Sequence, residues 1–325
     1  MLSLHLAARL KPNPGVQSQG PFLKFTAWIT SSTTSTKTYT FKDKREANMM
    51  STFTIPGSSS IRVNTASDIS QDELLAFPAF KTWMSTLQHS LEMQKLPSHE
   101  FHADPFVLRR IDIQAVDRFG GKRLGFVKMR ADVSNSKGES LPGSIFLRGG
   151  SVGMLLILQP DDLPAEQENG KWAILTIQPR ISAGSLAFAE IPAGMLDDSG
   201  TFAGGAAKEI QEETGLSVQQ NELIDMTALA LQSESESEEN ESLQKAVYPS
   251  AGGSDEFIPL FLCQKRMPRH EIEALQGKLT GERDHGEKIT LKIVPLENLW
   301  KEGIRDGKTL AAWALYQGLQ QEGRI

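Results

Sequence analysis

The sequence predicts an α/β fold, and three features of its hydrophobic pattern support that prediction. Apolar runs of strand length, which are typical of buried strands, occur at 151–159, 172–178, 257–263 and 288–294. Segments 201–215 and 309–321 have the residue pattern of helices. Two strand-like segments at 106–117 and 122–133 flank a Phe-Gly-Gly turn, which predicts a hairpin or small sheet before the main domain.

Length and composition limit the class of protein. A chain of 325 residues can bury a sizeable core as one large domain with an appendage, or as two modest domains. We find no run near the ~18 apolar residues that a membrane-spanning helix requires, so we expect a water-soluble protein without a membrane partner. The single cysteine, Cys263, excludes an intramolecular disulfide and a cysteine-built zinc site, and suits a reducing compartment.

The charge is distributed unevenly along the chain. Residues 1–42 contain five basic residues and no acidic one, which leaves 29 basic and 40 acidic residues in the remainder. Such a surface repels polyanions, so we do not expect a nucleic acid partner. Any chemistry on phosphate groups would require a bridging cation.

Residues 1–50 combine this charge pattern with a basic amphipathic turn and a Ser/Thr-rich stretch. That composition is typical of an organelle transit peptide, and from it we predict a mitochondrial location. A disordered tail with no targeting function is the alternative, and it would leave the protein in the cytoplasm. Met49 or Met50 could also start a shorter form.

Two further regions follow the tail. Residues 60–144 contain a helix predicted over 72–93 from its apolar spacing, and then the hairpin. Residues 145–325 carry the strongest signals and form the predicted main domain. Within it, the acidic stretch ESESEENES lies in an insertion at 233–243, which we interpret as a solvated loop.

The most informative segment lies between Glu190 and Leu216. A strand ends at Ile191, the Pro-Ala-Gly break at 192–194 follows, and a helix begins near 201–204 and ends at Gly215, a residue type that favours helix C-termini. At ~100° per residue, three carboxylates share one arc of that helix: Glu209, Glu212 and Glu213. A neighbouring arc of small and aliphatic residues faces the core: Ala203, Ala206, Ala207 and Ile210.

Like charges three and four residues apart destabilise a helix, so these carboxylates need a compensating partner. Oxygen ligands without His or Cys favour a hard divalent cation, Mg²⁺, with Mn²⁺ as a substitute. A solvated acidic helix face is the alternative interpretation, and the glycine-bounded loop before the helix makes it less favourable.

The segment resembles the Nudix box, the loop-helix motif GX5EX7REUXEEXGU of the Nudix hydrolases. Gly194, the run Lys-Glu-Ile-Gln-Glu-Glu at 208–213, and Gly215-Leu216 match its spacing. Gly200 stands where the motif has its first Glu, and Lys208 replaces its Arg. The resemblance implies the Nudix fold, a mixed β-sheet between helices, with a smaller N-terminal dimerisation domain.

Segments outside the box resemble the ADP-sugar and ADP-ribose pyrophosphatase branch, and most closely the plant ADP-sugar diphosphatases. They are the Gln-Pro-Arg sequence at 178–180 and the segments 188–194, 249–256 and 277–287. The resemblance implies a homodimer that hydrolyses ADP-glucose or ADP-ribose to AMP and a sugar phosphate. Leu231 and Gln232 occupy the region where ADP-ribose specialists carry proline, which favours a nucleoside diphosphate sugar. The alternatives are a UDP-sugar pyrophosphatase and a Nudix-fold nucleotide sensor; a decapping or triphosphate-cleaning enzyme fits the acidic body less well.

The resemblance also implies roles for individual residues. The metal ligands would be Glu209 and Glu213, with Glu212 at a second metal and the carbonyl oxygen of Ala193 completing the set. The general base would be an acidic loop residue: Glu287 first, then Glu282 and Glu256. His285, next to these, is more simply a loop hydrogen-bonding residue. The substrate contacts would come from Arg180 as a phosphate clamp, Glu190 at the nucleoside or as a brace of the loop, Gly194 and Gly253.

Overall fold

The structure is a computed structural model, and it describes residues 51–55, 61–65, 68–167, 169–195, 201–233, 241–281 and 287–325. Several sequence predictions therefore lie outside the described residues. They are the targeting segment 1–50, residues 234–240 of the acidic insertion, Gly200, Glu282 and His285.

The described strands of the first region form one sheet, which is accompanied by two helices. Along the chain they are β1 (Ser51–Ile55), β2 (Ile61–Thr65), α1 (Gln71–Ala76), α2 (Pro78–Met93), β3 (Val107–Phe119), β4 (Arg123–Ser134), β5 (Ser140–Leu141) and β6 (Ser144–Leu147). The sheet order is β1-β2-β3-β4-β5, with β6 also paired to β4. The predicted hairpin is confirmed: β3 and β4 pair antiparallel around Gly120 and Gly121, which both have positive φ.

The helix predicted over 72–93 is divided in two. Phe77 separates α1 from α2 and adopts an extended conformation, with φ −66° and ψ 117°. The physical reason is Pro78, whose ring disfavours the helical conformation at the preceding residue. Phe80 and Met84 of α2 and Leu74 of α1 are buried in the same core as the sheet, so the predicted core face is confirmed.

The second region contains a larger sheet and its helices. Along the chain its elements are β7 (Ser151–Pro160), β8 (Trp172–Arg180), β9 (Ser185–Glu190), β10 (Ala193–Met195), α3 (Phe202–Thr214), β11 (Ile224–Asp225), α4 (Met226–Ala230), β12 (Leu260–Met267), α5 (Arg269–Ala274), β13 (Leu279–Thr280), β14 (Ile289–Pro295), α6 (Leu299–Glu302) and α7 (Gly307–Gln321). The sheet order is β11-β12-β7-β8-β14-β13, with β10 paired to β7 and β9 to β8. β12 runs parallel to β7 while the other pairs are antiparallel, so the sheet is mixed.

Helices cover both faces of this mixed sheet. The central strand β7 is buried along its whole length, and its side chains alternate between two cores. Leu155 and Ile157 pack in the core that includes α4, α6 and α7, whereas Met154 and Leu156 pack in the core that includes α3 and α5. The predicted α/β fold, a mixed sheet between helices, is therefore confirmed.

The strand predicted over 257–263 begins later than expected, since β12 spans Leu260–Met267. Pro259 precedes that residue and has no N–H to donate to a neighbouring strand. Of the helices in the described residues, none is long and apolar enough to cross a membrane.

Candidate active site

The helix α3 is held at both ends as the sequence predicts. The Thr201 side chain accepts a hydrogen bond from the Gly204 N–H at its N-terminus, and Gly215 adopts the left-handed conformation at its C-terminus, with φ 76°. Ala206 and Ile210 are fully buried against the sheet. This packing fixes which face of α3 its carboxylates occupy.

Glu213 is the most deeply buried acidic residue of the site, with 1% of its surface exposed. Its Oε2 accepts a hydrogen bond from the backbone N–H of Ala193 at 2.9 Å, and its Oε1 lies 3.4 Å from the Gln178 amide nitrogen. Burial raises the pKa of Glu213 to about 8, and the neighbouring charges of Glu209, Glu287 and Glu190 add to the effect. The charges of these three carboxylates are thus near enough to Glu213 to affect its ionisation.

Glu209 lies directly over Gly194. A Cβ atom at Gly194 would overlap the present position of the Glu209 carboxyl group, so a side chain there would displace that carboxylate. β10 carries Gly194 and pairs with the start of β7, where Gly194 lies opposite Val152. The box glycine is thus needed for close approach between the strand and the carboxylate.

Glu287 lies against Gly281, the residue that directly follows β13. The Gly281 N–H donates to the carbonyl oxygen of Glu212 at 3.4 Å, which ties this turn to the end of α3. Gly281 has φ +80°, and a Cβ there would lie 3.1 Å from both Cγ and the carbonyl oxygen of Glu287. Gly281 therefore lies between the end of α3 and Glu287, whose charge adds to the raised pKa of Glu213.

Glu212 points elsewhere. Its Oε1 lies 3.9 Å from Lys208 Nζ, one helical turn earlier, and its side chain is 34% exposed. Within the described residues, no three His, Cys, Asp or Glu side chains stand close enough together to hold a metal ion in their present arrangement.

The donor set nevertheless fits a hard divalent cation. Glu209, Glu213 and Glu287 offer carboxylate oxygens, which Mg²⁺ and Mn²⁺ prefer. Burial raises the pKa of Glu213, and a cation beside it would favour the deprotonated form.

A buried network of opposite charges lies beside the carboxylates. Glu190, which is 2% exposed, accepts from Arg180 Nε at 2.6 Å through Oε1 and from Lys308 Nζ at 2.5 Å through Oε2. Lys308 also donates to Asp306 Oδ1 at 2.9 Å. Although burial alone lowers the pKa of Lys308, these two carboxylates raise it above its ordinary value, so Lys308 is charged.

Sequence reasoning missed Lys308, Asp306 and Thr309. Asp306 caps α7 by accepting from the N–H groups of Lys308 and Thr309, a local signal that the sequence Asp-Gly-Lys-Thr carries. The ion pair between Lys308 and Glu190 spans 118 positions along the chain, and no local pattern indicates such a contact.

Glu256 and Gly253 belong to a different set of contacts. Glu256 Oε1 accepts from Arg148 Nη1 at 2.9 Å and from the Ser151 hydroxyl at 3.1 Å. The carbonyl oxygen of Gly253 accepts from the N–H of Phe146 at 2.8 Å. The structure thus places both residues between the two sheets, where each already has a partner.

A mixed sheet between helices, with a glycine loop leading into a helix that bears glutamates, defines the Nudix class of domain. Residues 162–313 match the NUDIX domain family, and this stretch contains β8 to β10, α3 and the four clustered carboxylates. This part of the chain is therefore similar to the Nudix domains, a family whose members generally use divalent metal cations.

Two known proteins are similar to this chain. Over 220 residues it is 37% identical to Nudix hydrolase 14, chloroplastic, from Arabidopsis thaliana. That alignment covers 67% of this chain and 65% of the relative, so the chain spans just under two thirds of the relative's length. A solved structure described as an ADP compounds hydrolase aligns with 67% of this chain and 99% of its own, at 16% identity and a TM-score of 0.41.

Proposed function

We propose that the chain is a Nudix hydrolase that cleaves the diphosphate bond of a nucleoside diphosphate sugar, ADP-glucose or ADP-ribose, to AMP and a sugar phosphate. We further propose Mg²⁺ as its cation, with Mn²⁺ able to substitute. One observation carries the proposal: Glu213, a carboxylate that is 1% exposed, is bound to the backbone N–H of Ala193 at the start of the box loop, and the charges of three other carboxylates raise its pKa further. Burying several negative charges together is unfavourable unless a cation compensates them, and such groups are typical of functional sites.

Glu209 and Glu213 would be the principal ligands of the cation, with the carbonyl oxygen of Ala193 beside them. Glu212 would join them after leaving Lys208, a separation that costs little because the pair is exposed and 3.9 Å apart. When bound, the cation neutralises the diphosphate and lowers the pKa of a water molecule.

The remaining steps fall to the side chains of the site. Arg180 would bind a phosphate group through its terminal nitrogens while Glu190 holds its Nε. Glu287 would accept the proton of the attacking water, because it is the acidic loop residue that lies near Glu213. Glu256, bound to Arg148 and Ser151, is a weaker candidate for that role.

A sensor that binds a nucleotide without hydrolysing it is a second candidate. The observation in its favour is that Lys208 is 57% exposed and lies beside Glu212. In a catalytic Nudix box this position braces the loop, and here the residue opposite would be a glycine, Gly200. A looser loop would reduce turnover while leaving the metal ligands in place.

The test is a substrate panel on the full-length protein. We expect AMP release from ADP-glucose or ADP-ribose in Mg²⁺ and none in EDTA, with less activity toward UDP-glucose, NADH and dNTPs. Preferred release of UMP from UDP-glucose would instead identify a UDP-sugar pyrophosphatase. Turnover that survives EDTA would contradict the cation-dependent reaction, and binding without turnover in any condition would favour the sensor.

Glu213→Gln provides the matched variant for this panel. The glutamine keeps an oxygen that accepts from the Ala193 N–H, so the fold persists, but the negative charge is lost. We expect turnover to fall by about 10²-fold or more. Glu222→Gln, which changes an exposed carboxylate of the same domain, serves as the control and should retain wild-type activity.

The homodimer and the organelle address are also proposals. The resemblance of residues 60–144 to an N-terminal dimerisation domain supports a dimer, which light scattering on the purified protein would measure. The basic, acid-free residues 1–42 and a relative named as chloroplastic support an organelle address. Imaging of the tagged full-length chain beside one that starts at Met50, with mitochondrial and plastid markers, would test the proposed mitochondrial location against a plastid or cytoplasmic one.

A further inference from the structure

Lys308 makes two buried ion pairs, and fold stability alone does not explain them. Its side chain is 14% exposed, and its Nζ bridges two buried carboxylates, Glu190 at 2.5 Å and Asp306 at 2.9 Å. A buried ion pair is weak evidence for stability, because removing charges from water offsets most of the attraction between them. The position of this lysine beside the site therefore requires another explanation.

The two oxygens of Glu190 are divided between two cations. Oε1 accepts from Arg180 and Oε2 from Lys308. A carboxylate that faces one arginine alone favours a bidentate pair, with two parallel N–H groups of the guanidinium bound to its two oxygens. In the structure Lys308 binds Oε2, and Arg180 contacts Glu190 through Nε and Oε1 instead of in that bidentate arrangement.

The consequence is an arginine with its terminal nitrogens available. Among the described residues, the hydrogen bond of the Arg180 side chain is made by Nε, and the side chain is 39% exposed. Within the described ranges its two terminal NH₂ groups make no hydrogen bond, so they can bind an oxyanion of a ligand. The planar guanidinium, held at Nε, presents them in a fixed direction.

Lys308 is itself firmly placed by the first turn of α7. Asp306 Oδ2 accepts from the N–H and the hydroxyl of Thr309, at 3.1 and 2.7 Å. The Thr309 hydroxyl oxygen in turn accepts from the N–H of Ile191 at 3.0 Å. α7 is therefore joined at adjacent positions, Glu190 and Ile191, to the strand that leads into the box loop.

We propose that Lys308 is a positioning residue, which holds the second oxygen of Glu190 and so keeps the terminal nitrogens of Arg180 directed toward the phosphate groups of the substrate. The inference rests on the proposed function for its substrate class. It assigns a role in substrate binding to α7, an element outside the box.

The first experiment compares Lys308→Met with Lys292→Met in the full-length protein. Lys292 is the matched control, because its Nζ lies 2.6 Å from Glu302 in an exposed pair on β14. For Lys308→Met we expect KM for the preferred sugar nucleotide to rise about 10-fold or more while kcat changes less than about 3-fold. Lys308→Arg, which retains the charge, should recover most of the change, and Lys292→Met should match the wild type.

A second measurement separates positioning from a general loss of structure. In an Arg180→Met background, Lys308→Met should raise KM no further, because Lys308 acts through Arg180. An equal rise in both backgrounds, or a KM for Lys308→Met equal to that of Lys292→Met, would overturn the proposal. If Lys308→Met does not fold, Lys308→Gln replaces it, because glutamine keeps a donor to Glu190 without the charge. The KM of Lys308→Gln should still be higher than that of Lys292→Met.

Calorimetric titration with ADP distinguishes failure of this inference from failure of the proposed function. If the wild type hydrolyses none of the sugar nucleotides, ADP binding weakened about 10-fold by Lys308→Met would sustain the inference without the reaction. Equal ADP affinity of the wild type and Lys308→Met would overturn the inference whatever the turnover. A wild type that neither binds ADP nor hydrolyses the panel would overturn both.

Discussion

Glu213 combines two properties that conflict in a protein without a bound cation. Its backbone hydrogen bond from Ala193 favours the charged form, while burial and three neighbouring carboxylates disfavour it more strongly. The second influence prevails, and the pKa rises to about 8. A carboxylate with a pKa in that range changes its charge under the conditions in which an enzyme would work.

This residue makes the effect of Mg²⁺ on stability dependent on pH. Because the pKa of Glu213 rises on folding from 4.5 to about 8, its contribution to the free energy of unfolding is fully present below pH 4.5 and is lost as pH rises through about 8. A cation requires the deprotonated ligand, so the increase in melting temperature with Mg²⁺ should be larger at pH 8 than at pH 6. Thermal unfolding in Mg²⁺ and in EDTA across this range measures it.

Glu213→Gln is the control for that prediction, since glutamine does not titrate. In this variant the melting temperature in EDTA should depend less on pH between 5 and 8, and the added stability from Mg²⁺ should shrink. If Glu213→Gln keeps the full pH-dependent rise in melting temperature with Mg²⁺, that rise comes from other carboxylates and the prediction is contradicted.

At the residue level, the sequence predicted the members of the cluster that share one helix. Glu209 and Glu213 follow from the helical period, since residues four apart lie on one face. The outward position of Glu212 could not be predicted, because its ion pair with Lys208 depends on the choice of rotamer. Lys308 could not be predicted either, since its contact with Glu190 depends on how α7 packs against the sheet.

At the level of elements, the contact between β10 and α3 determines the geometry of the site. Gly194 in the strand and Glu209 in the helix approach so closely that a side chain on the glycine has no space. The obstruction is the flexible end of Glu209 and not the backbone. The backbone of both elements can therefore remain in place when the carboxylate is displaced.

Gly194→Ala should consequently separate folding from function. We expect the melting temperature to change by less than about 4 °C, because only a carboxylate must move. Turnover should fall by about 10²-fold, since the displaced group is a proposed cation ligand. Differential scanning fluorimetry and AMP release measure the two effects.

Gly318→Ala in α7 is the matched glycine variant, because a Cβ there meets open space. It should keep its activity and, in a helix interior, hold or raise the melting temperature. Wild-type turnover in Gly194→Ala would show that the carboxylate of Glu209 has no part in the reaction.

The types of the elements were predictable from sequence, and their interruptions depended on single residues. Alternating and continuous apolar runs predicted the hairpin β3 and β4 and the buried strand β7 correctly. The break at Phe77 follows from Pro78, and the start of β12 at Leu260 follows from Pro259, so both lay within reach of local rules. The pairing of β12 with β7 in parallel joins distant segments, and no local rule supplies that.

At the level of the whole molecule, the two sheets are linked through the segment before β12. Phe146 of β6 donates its N–H to Gly253, and Asp255 accepts from the N–H groups of Arg148 and Gly149, at 2.7 and 3.0 Å. These bonds lie where the chain passes from the first sheet to the second. Residues from Ala47 to Ile325 form one compact unit, which is consistent with a shared unfolding transition.

Asp255→Ala tests how much this link contributes to stability. The substitution leaves two backbone N–H groups without their acceptor in a place where burial already raises the pKa of the aspartate. The expected cost is about 2 kcal/mol, which lowers the melting temperature by about 4–8 °C in a domain of this size. Asp162→Ala removes an equally well-formed pair with Arg269 that is exposed, and should have a much smaller effect. Scanning calorimetry measures both variants; equal melting temperatures would mean that the two sheets are held together by their apolar contacts, with no net contribution from Asp255.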